Sequence, residues 1–175
     1  MIKFLTILSL VTTFTFSQDI KENVNLALHN CFGENITIEK EKIAIDDKLK
    51  ASLEKEAGQK FFSSEVFFYK ILRDQKKTGY ALLDNVYGKS LPITFIVMYD
   101  PEGKIKCSEI IKYREPYGGA VQNKEWNRQF IGKTSDSEFA VGKDVKSISG
   151  ATISVNSVTK GIKKLTLLLK FLISK

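Results

Sequence analysis

The sequence of 175 residues is 43% hydrophobic and 11% aromatic, which is typical of a folded chain and excludes a disordered one. Its length fits one domain with a buried core. The formal net charge of +7 is spread along the chain, which argues against a nucleic-acid-binding protein. His29 is the single histidine, so Ser-His-Asp catalysis and His-rich zinc sites are excluded, and we expect no catalytic or metal-binding residues.

The N-terminal segment has the parts of a secretory signal. Met1–Lys3 is a short basic start, Phe4–Phe16 is almost wholly apolar or hydroxylic, and small residues precede Gln18. This pattern predicts a signal peptide over residues 1–17 and a mature domain over residues 18–175. An uncleaved N-terminal anchor is the alternative, although the apolar run is short for a membrane span. We expect the protein to work outside the cytoplasm, in the periplasm or at the extracytoplasmic face of the membrane.

The two cysteines lie on predicted apolar faces. Cys31 follows Val24 and Leu28 at helical spacing, and Cys107 alternates with Ile105. An oxidising compartment would allow a disulfide between them. Buried free cysteines are nevertheless common on such faces, so the pattern favours two free thiols over a Cys31–Cys107 disulfide.

The first part of the mature chain reads as helix, strands and helix. Apolar residues at helical spacing predict a helix over Asp19–Phe32. Ile36–Ile38 and Ile43–Ile45 alternate as two short strands. A second helix follows, capped at its start by Asp46 or Asp47.

The centre of the chain is rich in strand-forming residues. Polar turn material over Asp74–Thr78 and Asp100–Gly103 separates runs that are aromatic and β-branched. Neighbouring runs joined by short turns pair as antiparallel hairpins. The four predicted strands are Val66–Leu72, Gly79–Val86, Pro92–Tyr99 and Lys104–Tyr113.

The last part of the chain combines loops with an amphipathic helix. Lys124–Ile131 contains the only tryptophan, Trp126. The final helix packs its apolar stripe on the sheet, because the apolar residues recur at steps of three and four. We therefore predict a single α+β domain, an antiparallel sheet packed against amphipathic helices. The stripe consists of Val155, Val158, Ile162, Leu165, Leu169 and Leu172.

The stretch Ser149–Thr152 precedes this final helix and could bind an anion. Gly150 tolerates backbone angles that other residues resist, and Ala151 is small enough for a bulky group to lie close. Thr152 presents a hydroxyl about two residues before the helix, whose free N–H groups and dipole suit a phosphate. The simpler interpretation is a turn with Thr152 or Ser154 as the helix N-cap.

Five motifs, in this order and spacing, resemble those of FMN-binding domains. These are the domains of the covalently flavinylated subunits of the Na⁺-translocating NADH:quinone reductase and the Rnf electron-transport complex. The resemblance covers roughly residues 66–164. The motifs are Lys77-Thr78-Gly79-Tyr80-Ala81, Gly103-Lys104-Ile105, Arg114–Gly119, Gln129-Phe130-Ile131-Gly132-Lys133 and Ser149-Gly150-Ala151-Thr152.

The resemblance implies an FMN joined by a phosphoester to Thr152, attached by a separate flavin transferase. It also implies that the glycines of the Arg114–Gly119 loop let the backbone approach the flavin ring, whose potential depends on nearby hydrogen bonds and charge. The phosphodiester retains one negative charge, which is favourable near a helix N-terminus. The residues expected to contact the cofactor are Glu115, Tyr117, Gly118, Gly119, Lys146, Ser149, Gly150, Ala151 and Thr152.

Lys146 departs from the family pattern. The family usually has an aspartate three residues before the Ser/Thr of the motif, and the nearest acid here is Asp144. The departure weakens the expectation that a flavin transferase recognises this site. Lys146 could instead pair with the phosphate, or it could be an ordinary solvated lysine.

The function predicted from these features is that of an exported flavoprotein, which exchanges electrons with other redox proteins, some of them membrane-bound. One alternative is a flavin-free binding or interaction module on the same fold. Another is a small flavin reductase acting on an extracytoplasmic acceptor. The sequence identifies neither the electron donor nor the acceptor.

Overall fold

Five strands pair in chain order as one antiparallel sheet, β1-β2-β3-β4-β5. The computed structural model describes residues 11–174. This is the predicted single α+β domain, and β4 has the predicted bounds. The elements are α1 Val11–Phe32, β1 Thr37–Ala44, α2 Asp47–Ala57, β2 Glu65–Arg73, β3 Lys76–Tyr87, β4 Pro92–Tyr99, β5 Ile105–Lys112, a 3₁₀ turn Gly119–Gln122, α3 Lys124–Arg128 and α4 Thr152–Ile173.

The two sides of the sheet bury separate hydrophobic cores. Alternate residues of each strand point to opposite sides. On one side, which we call the α4 face, residues such as Leu82 pack against α2 and α4. On the other, the α1 face, residues such as Leu83 join a core with Val24 and Leu28 of α1. The predicted stripe of α4 is buried from Val155 to Leu169.

Two strand predictions need correction. The two short strands predicted at residues 36–38 and 43–45 are the ends of one strand, β1, because the chain pairs along β2 without interruption from Thr37 to Ala44. The turn predicted over residues 74–78 is shorter, since Lys76 already pairs with Arg73. Only Asp74 and Gln75 form this turn, with φ of 50° and 62°, as two-residue hairpin loops require.

The expectation of two free cysteines is wrong. Cys31 of α1 and Cys107 of β5 form a disulfide. The helix α1 lies over β4 and β5 on the α1 face, so the apolar stripe that carries Cys31 meets the strand position that carries Cys107. The sequence placed both residues on apolar faces but did not show that these faces meet.

A buried ion pair fixes the middle of α4 against the sheet. Lys164 is fully buried, and its Nζ lies 2.8 Å from Oδ2 of Asp84 in β3. The same ammonium donates a hydrogen bond of 2.8 Å to the carbonyl of Lys60. Burial, partly offset by the partner charge, raises the pKa of Asp84 and lowers that of Lys164. This pair sets the position of the helix whose first residue is Thr152.

The predicted signal peptide lies largely outside the described residues. The helix α1 begins at Val11 and runs through the position before Gln18. Among the helices of residues 11–174, none is both long and apolar enough to cross a bilayer.

Candidate functional site

The helix α4 begins at Thr152 itself, without a capping side chain. Its N-cap is Ala151, with φ of −127° and ψ of 18°, and no side chain of the described residues caps it. Thr152 is therefore the first helical residue and is exposed, and Ser154 is the third and is buried. The interpretation of either residue as the N-cap is wrong, and so is the expectation that the helix starts about two residues after Thr152.

A tight turn over residues 148–151 directly precedes this helix. Gly150 has φ of 74°, a conformation that favours glycine, and the N–H of Ala151 donates a 3.1 Å hydrogen bond to the carbonyl of Ile148. The N–H of Val155 makes the first intrahelical bond, to the carbonyl of Ala151. The N–H groups of residues 152–154 are left as the donors that a helix start offers to an anion.

These donors face a cleft of about 330 Å³ that we call the motif cleft. It combines the turn and first residues of α4 with the loop after β5 and the turn between β3 and β4. It is lined by Lys89, Tyr117, Gly118, Gly150, Ala151, Thr152, Ile153 and Ser154.

The loop after β5 is fastened to α4 through Tyr113. Its hydroxyl donates a 2.5 Å hydrogen bond to the carbonyl of Tyr117. It also lies 2.9 Å from Oγ of Ser154, which must then be the donor, since a phenol has one proton. Gly118 has φ of 78°, and a Cβ there would lie 2.8 Å from Oγ of Ser154. Glycine is thus required both by the backbone and by this close approach.

Glu115 does not line the motif cleft but holds the turn beside it. Its Oε1 accepts hydrogen bonds from the N–H groups of Ser90 (2.5 Å) and Leu91 (2.8 Å). These bonds keep the pKa of the Glu115 carboxyl below its usual value. The turn that they fix carries Lys89, a cation of the cleft that sequence reasoning missed because nothing marks it within Gly88-Lys89-Ser90.

The helix α3 fixes the backbone at Lys146. The indole Nε1 of Trp126 donates a 2.8 Å hydrogen bond to the carbonyl of Lys146. The side-chain oxygen of Gln129, which directly follows α3, accepts a 2.6 Å hydrogen bond from the backbone N–H of Lys146. The side chain of Lys146 is exposed and is not part of the cleft lining. The sequence marked Trp126 as the only tryptophan and Gln129 as the first residue of a motif, but it did not show that they hold this position.

Asp144 is engaged within its own loop. Its Oδ2 lies 2.5 Å from Nζ of Lys133, and its two oxygens accept hydrogen bonds from the N–H groups of Phe139 (3.2 Å) and Ala140 (2.6 Å). Burial raises the pKa of Asp144, but the hydrogen bonds and the charge of Lys133 lower it by more. The net effect is a pKa below the usual value. Its carboxylate is thus committed to the loop and does not replace the missing acid at position 146.

The structure brings together five of the nine predicted cofactor residues. Tyr117, Gly118, Gly150, Ala151 and Thr152 line the motif cleft. The other four surround it without lining it. Ser149 is exposed in the preceding turn, Gly119 begins the 3₁₀ turn, Glu115 holds the neighbouring turn and Lys146 is fixed by α3.

The residues of the motif cleft fit the FMN that the resemblance implies. The helix α4 lies wholly within the described residues and has no acid in its first turn, so its positive end is not neutralised. Lys89 adds a charge, and Tyr117 and Ile153, which are 84% and 51% exposed, offer apolar surface to a ring. Within the described part of the chain, no group of three His, Cys, Asp or Glu side chains could hold a metal ion.

Comparison with known proteins supports this assignment. Residues 88–166 match the sequence model of a family described as the FMN-binding domain. None of the curated proteins matches the chain.

Two solved structures share the fold. The crystal structure of NqrC from Shewanella oneidensis superposes with a TM-score of 0.52 at 16% identity, covering 78% of this chain and 80% of that one. A subunit of the Na⁺-translocating NADH-quinone reductase from Parabacteroides distasonis gives a TM-score of 0.50 at 14% identity, covering 91% of this chain and 98% of that one.

Proposed function

We propose that this protein is an exported flavoprotein that carries electrons through FMN attached covalently to Thr152, because residues 88–166 match the FMN-binding domain family. The observation that carries the proposal is the start of α4. Thr152 is exposed there, lines the motif cleft and begins a helix that no side chain of the described residues caps. An N-terminus left open in this way is suited to a bound phosphate.

The chain's own groups have distinct parts in this attachment. The hydroxyl oxygen of Thr152 would bond to the phosphorus of an FMN that a separate flavin transferase presents as a phosphoanhydride. The phosphoanhydride bond would break as the phosphoester bond forms, so that its other phosphate leaves, and the hydroxyl proton would pass to the transferase. The N–H groups of residues 152–154 and the ammonium of Lys89 would stabilise the remaining negative charge. A covalent bond would also retain the cofactor outside the cytoplasm, where free flavin is scarce.

The proposed role is electron relay and not substrate turnover. FMN supplies the redox chemistry when bound, and the sequence has no Gly-rich dinucleotide fingerprint for a nicotinamide. The net charge of +7 favours acidic redox partners, so exchange should slow as salt rises. The NqrC protein and the NADH-quinone reductase subunit that share the fold support a partner in a membrane redox complex. Rapid, saturable reduction by NADH alone in stopped flow would contradict the relay role.

Export is part of the same proposal and has support from the disulfide. Cys31–Cys107 is a bond that persists in oxidising compartments and is rare in the cytosol. N-terminal sequencing of the protein from its host should begin at Gln18. A chain beginning at Met1 in the membrane fraction would support the uncleaved anchor instead.

The decisive experiment is the intact mass of the mature protein from its own host. We expect the added mass of one FMN, yellow colour that survives acid denaturation, and flavin on the peptide that contains Thr152. Thr152→Ala should lose the flavin and keep the fold, whereas Thr152→Ser, which retains a hydroxyl, should keep some of it. Flavin mapped to another residue, or retained by the alanine variant, would refute the assignment.

Lys146 favours a second candidate, a flavin-free binding module. A lysine occupies the place of the family's aspartate, and Asp144 is bound to Lys133. If the wild-type protein carries no flavin and Lys146→Asp restores it, the chain is such a module. If the wild type is flavinylated, Lys146 is compatible with the transferase and the module is excluded. Lys143→Asp is the matched control, since Lys143 is an exposed lysine of the same loop.

A further inference from the structure

Within the described residues, the α1 face of the sheet is only half covered. The helix α1 lies over β4 and β5, so β1 and β2 extend beyond it. A groove of about 480 Å³, which we call the lysine groove, opens between the first half of the described α1 surface and these strands. It is lined by Ile20, Lys21, Val24, Asn25, Ile38, Lys40, Phe67, Tyr69 and Leu83.

The floor of the lysine groove is apolar and continuous across three strands. Phe67 of β2 pairs with Leu83 of β3, and Tyr69 of β2 lies two positions further along the same face. Ile38 and Phe67 are half-buried, whereas Tyr69 and Leu83 are buried. Burial also raises the pKa of Tyr69 to about 12, so its phenol stays protonated and can donate a hydrogen bond. The floor thus offers extended apolar contact with one polar group.

The rim of the groove carries a concentration of positive charge. Lys40 pairs with Tyr69 across the sheet, and its Nζ lies 4.1 Å from the ring centroid of Phe67. Partial burial, followed by repulsion from Lys21 and Lys42, lowers the pKa of Lys40. An anion placed among these ammonium groups would relieve that repulsion.

The lysines in and beside the groove differ in their partners. Lys42, which lies two positions along β1 from Lys40 and outside the groove lining, forms an ion pair with Glu65, with Nζ 3.1 Å from Oε2. No carboxylate in the described part of the chain forms an ion pair with Lys21 or Lys40. Charge complementarity therefore selects an anionic group, and the floor selects an apolar body attached to it.

We propose that the lysine groove binds a single-chain amphiphile with one carboxylate, of the fatty-acid type. The chain would lie on Ile38, Phe67 and Leu83, and the carboxylate would contact Lys40 and Lys21. The volume falls within the roughly 300–1,000 Å³ of small-molecule sites. None of the groove residues lines the motif cleft, so the proposal is independent of FMN attachment.

Calorimetric titration of the full protein, as isolated from its host, tests the ligand chemistry. Dodecanoate, kept below its micelle concentration, should bind with one site per chain. Dodecanol, which has the same chain without the charge, and acetate, which has the charge without the chain, should each bind at least about tenfold more weakly, because each lacks one of the two contacts. Equal binding of dodecanoate and dodecanol would overturn the role of the lysines.

Substitutions then test the location. Lys40→Gln should weaken dodecanoate binding about tenfold, since it removes a partly desolvated charge. Asn25→Trp should block the groove from an exposed position of α1 without touching the core. Lys48→Gln, an exposed lysine of α2, is the control that should change nothing. Unchanged binding in the first two variants would refute the site.

A lipid surface is the competing partner for the same charges. Sedimentation with phosphatidylglycerol vesicles, beside neutral phosphatidylcholine vesicles, distinguishes it. Binding to the anionic vesicles that Lys40→Gln abolishes, without binding of free dodecanoate, would identify the groove as a membrane contact and contradict the proposal.

Discussion

The two faces of the sheet differ in how far helices cover them and in what holds those helices in place. On the α4 face, α4 packs on β3 and β4, α2 packs on α4, and the buried pair Lys164–Asp84 fixes α4 against the sheet. On the α1 face, one helix covers half of the strands and a disulfide fastens it to β5. The more constrained face is the one that presents the motif cleft. This difference shows how α4 can leave its first turn uncapped, because its position is set by contacts further along.

The largest effect is expected at the centre of the constrained face. Lys164→Ala leaves the carboxylate of Asp84 buried without its partner, which should lower the free energy of unfolding by about 3–5 kcal/mol. The raised pKa of Asp84 sets the pH dependence, because the neutral acid tolerates burial. The loss should therefore be smallest below about pH 4, near the unfolded pKa of an aspartate, and grow as pH rises. Urea unfolding at several pH values measures it.

The double variant Lys164→Met/Asp84→Asn is the control for that prediction. It removes both charges and keeps similar volumes, so most of the stability should return. A double variant as unstable as Lys164→Ala would show that packing, and not the unpaired charge, causes the loss.

The next largest effect is expected on the half-covered face. Replacing both Cys31 and Cys107 with serine removes a cross-link between residues 76 positions apart, at a cost of about 2–4 kcal/mol. The apolar contacts of Val24 and Leu28 remain, so the domain should still fold and the flavin content should be unchanged. Thermal denaturation with and without reductant provides the measurement. Wild type and variant that melt together under non-reducing conditions would contradict it.

Gly161→Ala should distinguish close packing from helix propensity on the α4 face. A Cβ at this position would lie 2.8 Å from Cζ of Phe95 and 2.8 Å from Cγ1 of Val86. Both side chains are buried, so we expect a loss of about 1–3 kcal/mol from overpacking. An ordinary helical Gly→Ala change stabilises by about 0.5–1 kcal/mol. A gain in urea unfolding would therefore show that the helix can shift.

The smallest effect on stability is expected where the effect on function is greatest. Thr152 is exposed and is not the N-cap of α4. Thr152→Ala in the flavin-free protein should therefore change the free energy of unfolding by no more than about 0.5 kcal/mol. A loss above about 1 kcal/mol in calorimetric melting would show that the hydroxyl has a structural role after all.

The strands were predictable because periodicity and turn chemistry are local signals. The run Pro92–Tyr99 is almost wholly apolar and is bounded by turn residues, and strand β4 has the same bounds in the structure. The N-cap of α2 is likewise a local signal: the sequence offers Asp46 or Asp47, and the structure has Asp46. The polar residues Lys76–Thr78 predict a turn, although β3 begins at Lys76.

The contacts that complete the site depend on tertiary arrangement. Tyr113 reaches Ser154 only because β5 ends beside the start of α4. Lys89 enters the cleft because Glu115 holds its turn. Similarly, Lys164 lies in an amphipathic helix, where a lysine normally faces solvent, and only the position of Asp84 explains its burial. Neither spacing nor propensity carries this information.

The strand order described above has a consequence for folding kinetics. Each strand pairs with its neighbour in the chain, so the sheet can form hairpin by hairpin from contacts of short sequence separation, which favours rapid assembly. The helix α4 follows all five strands, and its contacts with β3 and β4 close long loops. Its docking should therefore be a late event, and the apolar α4 face stays open to aggregation until it occurs.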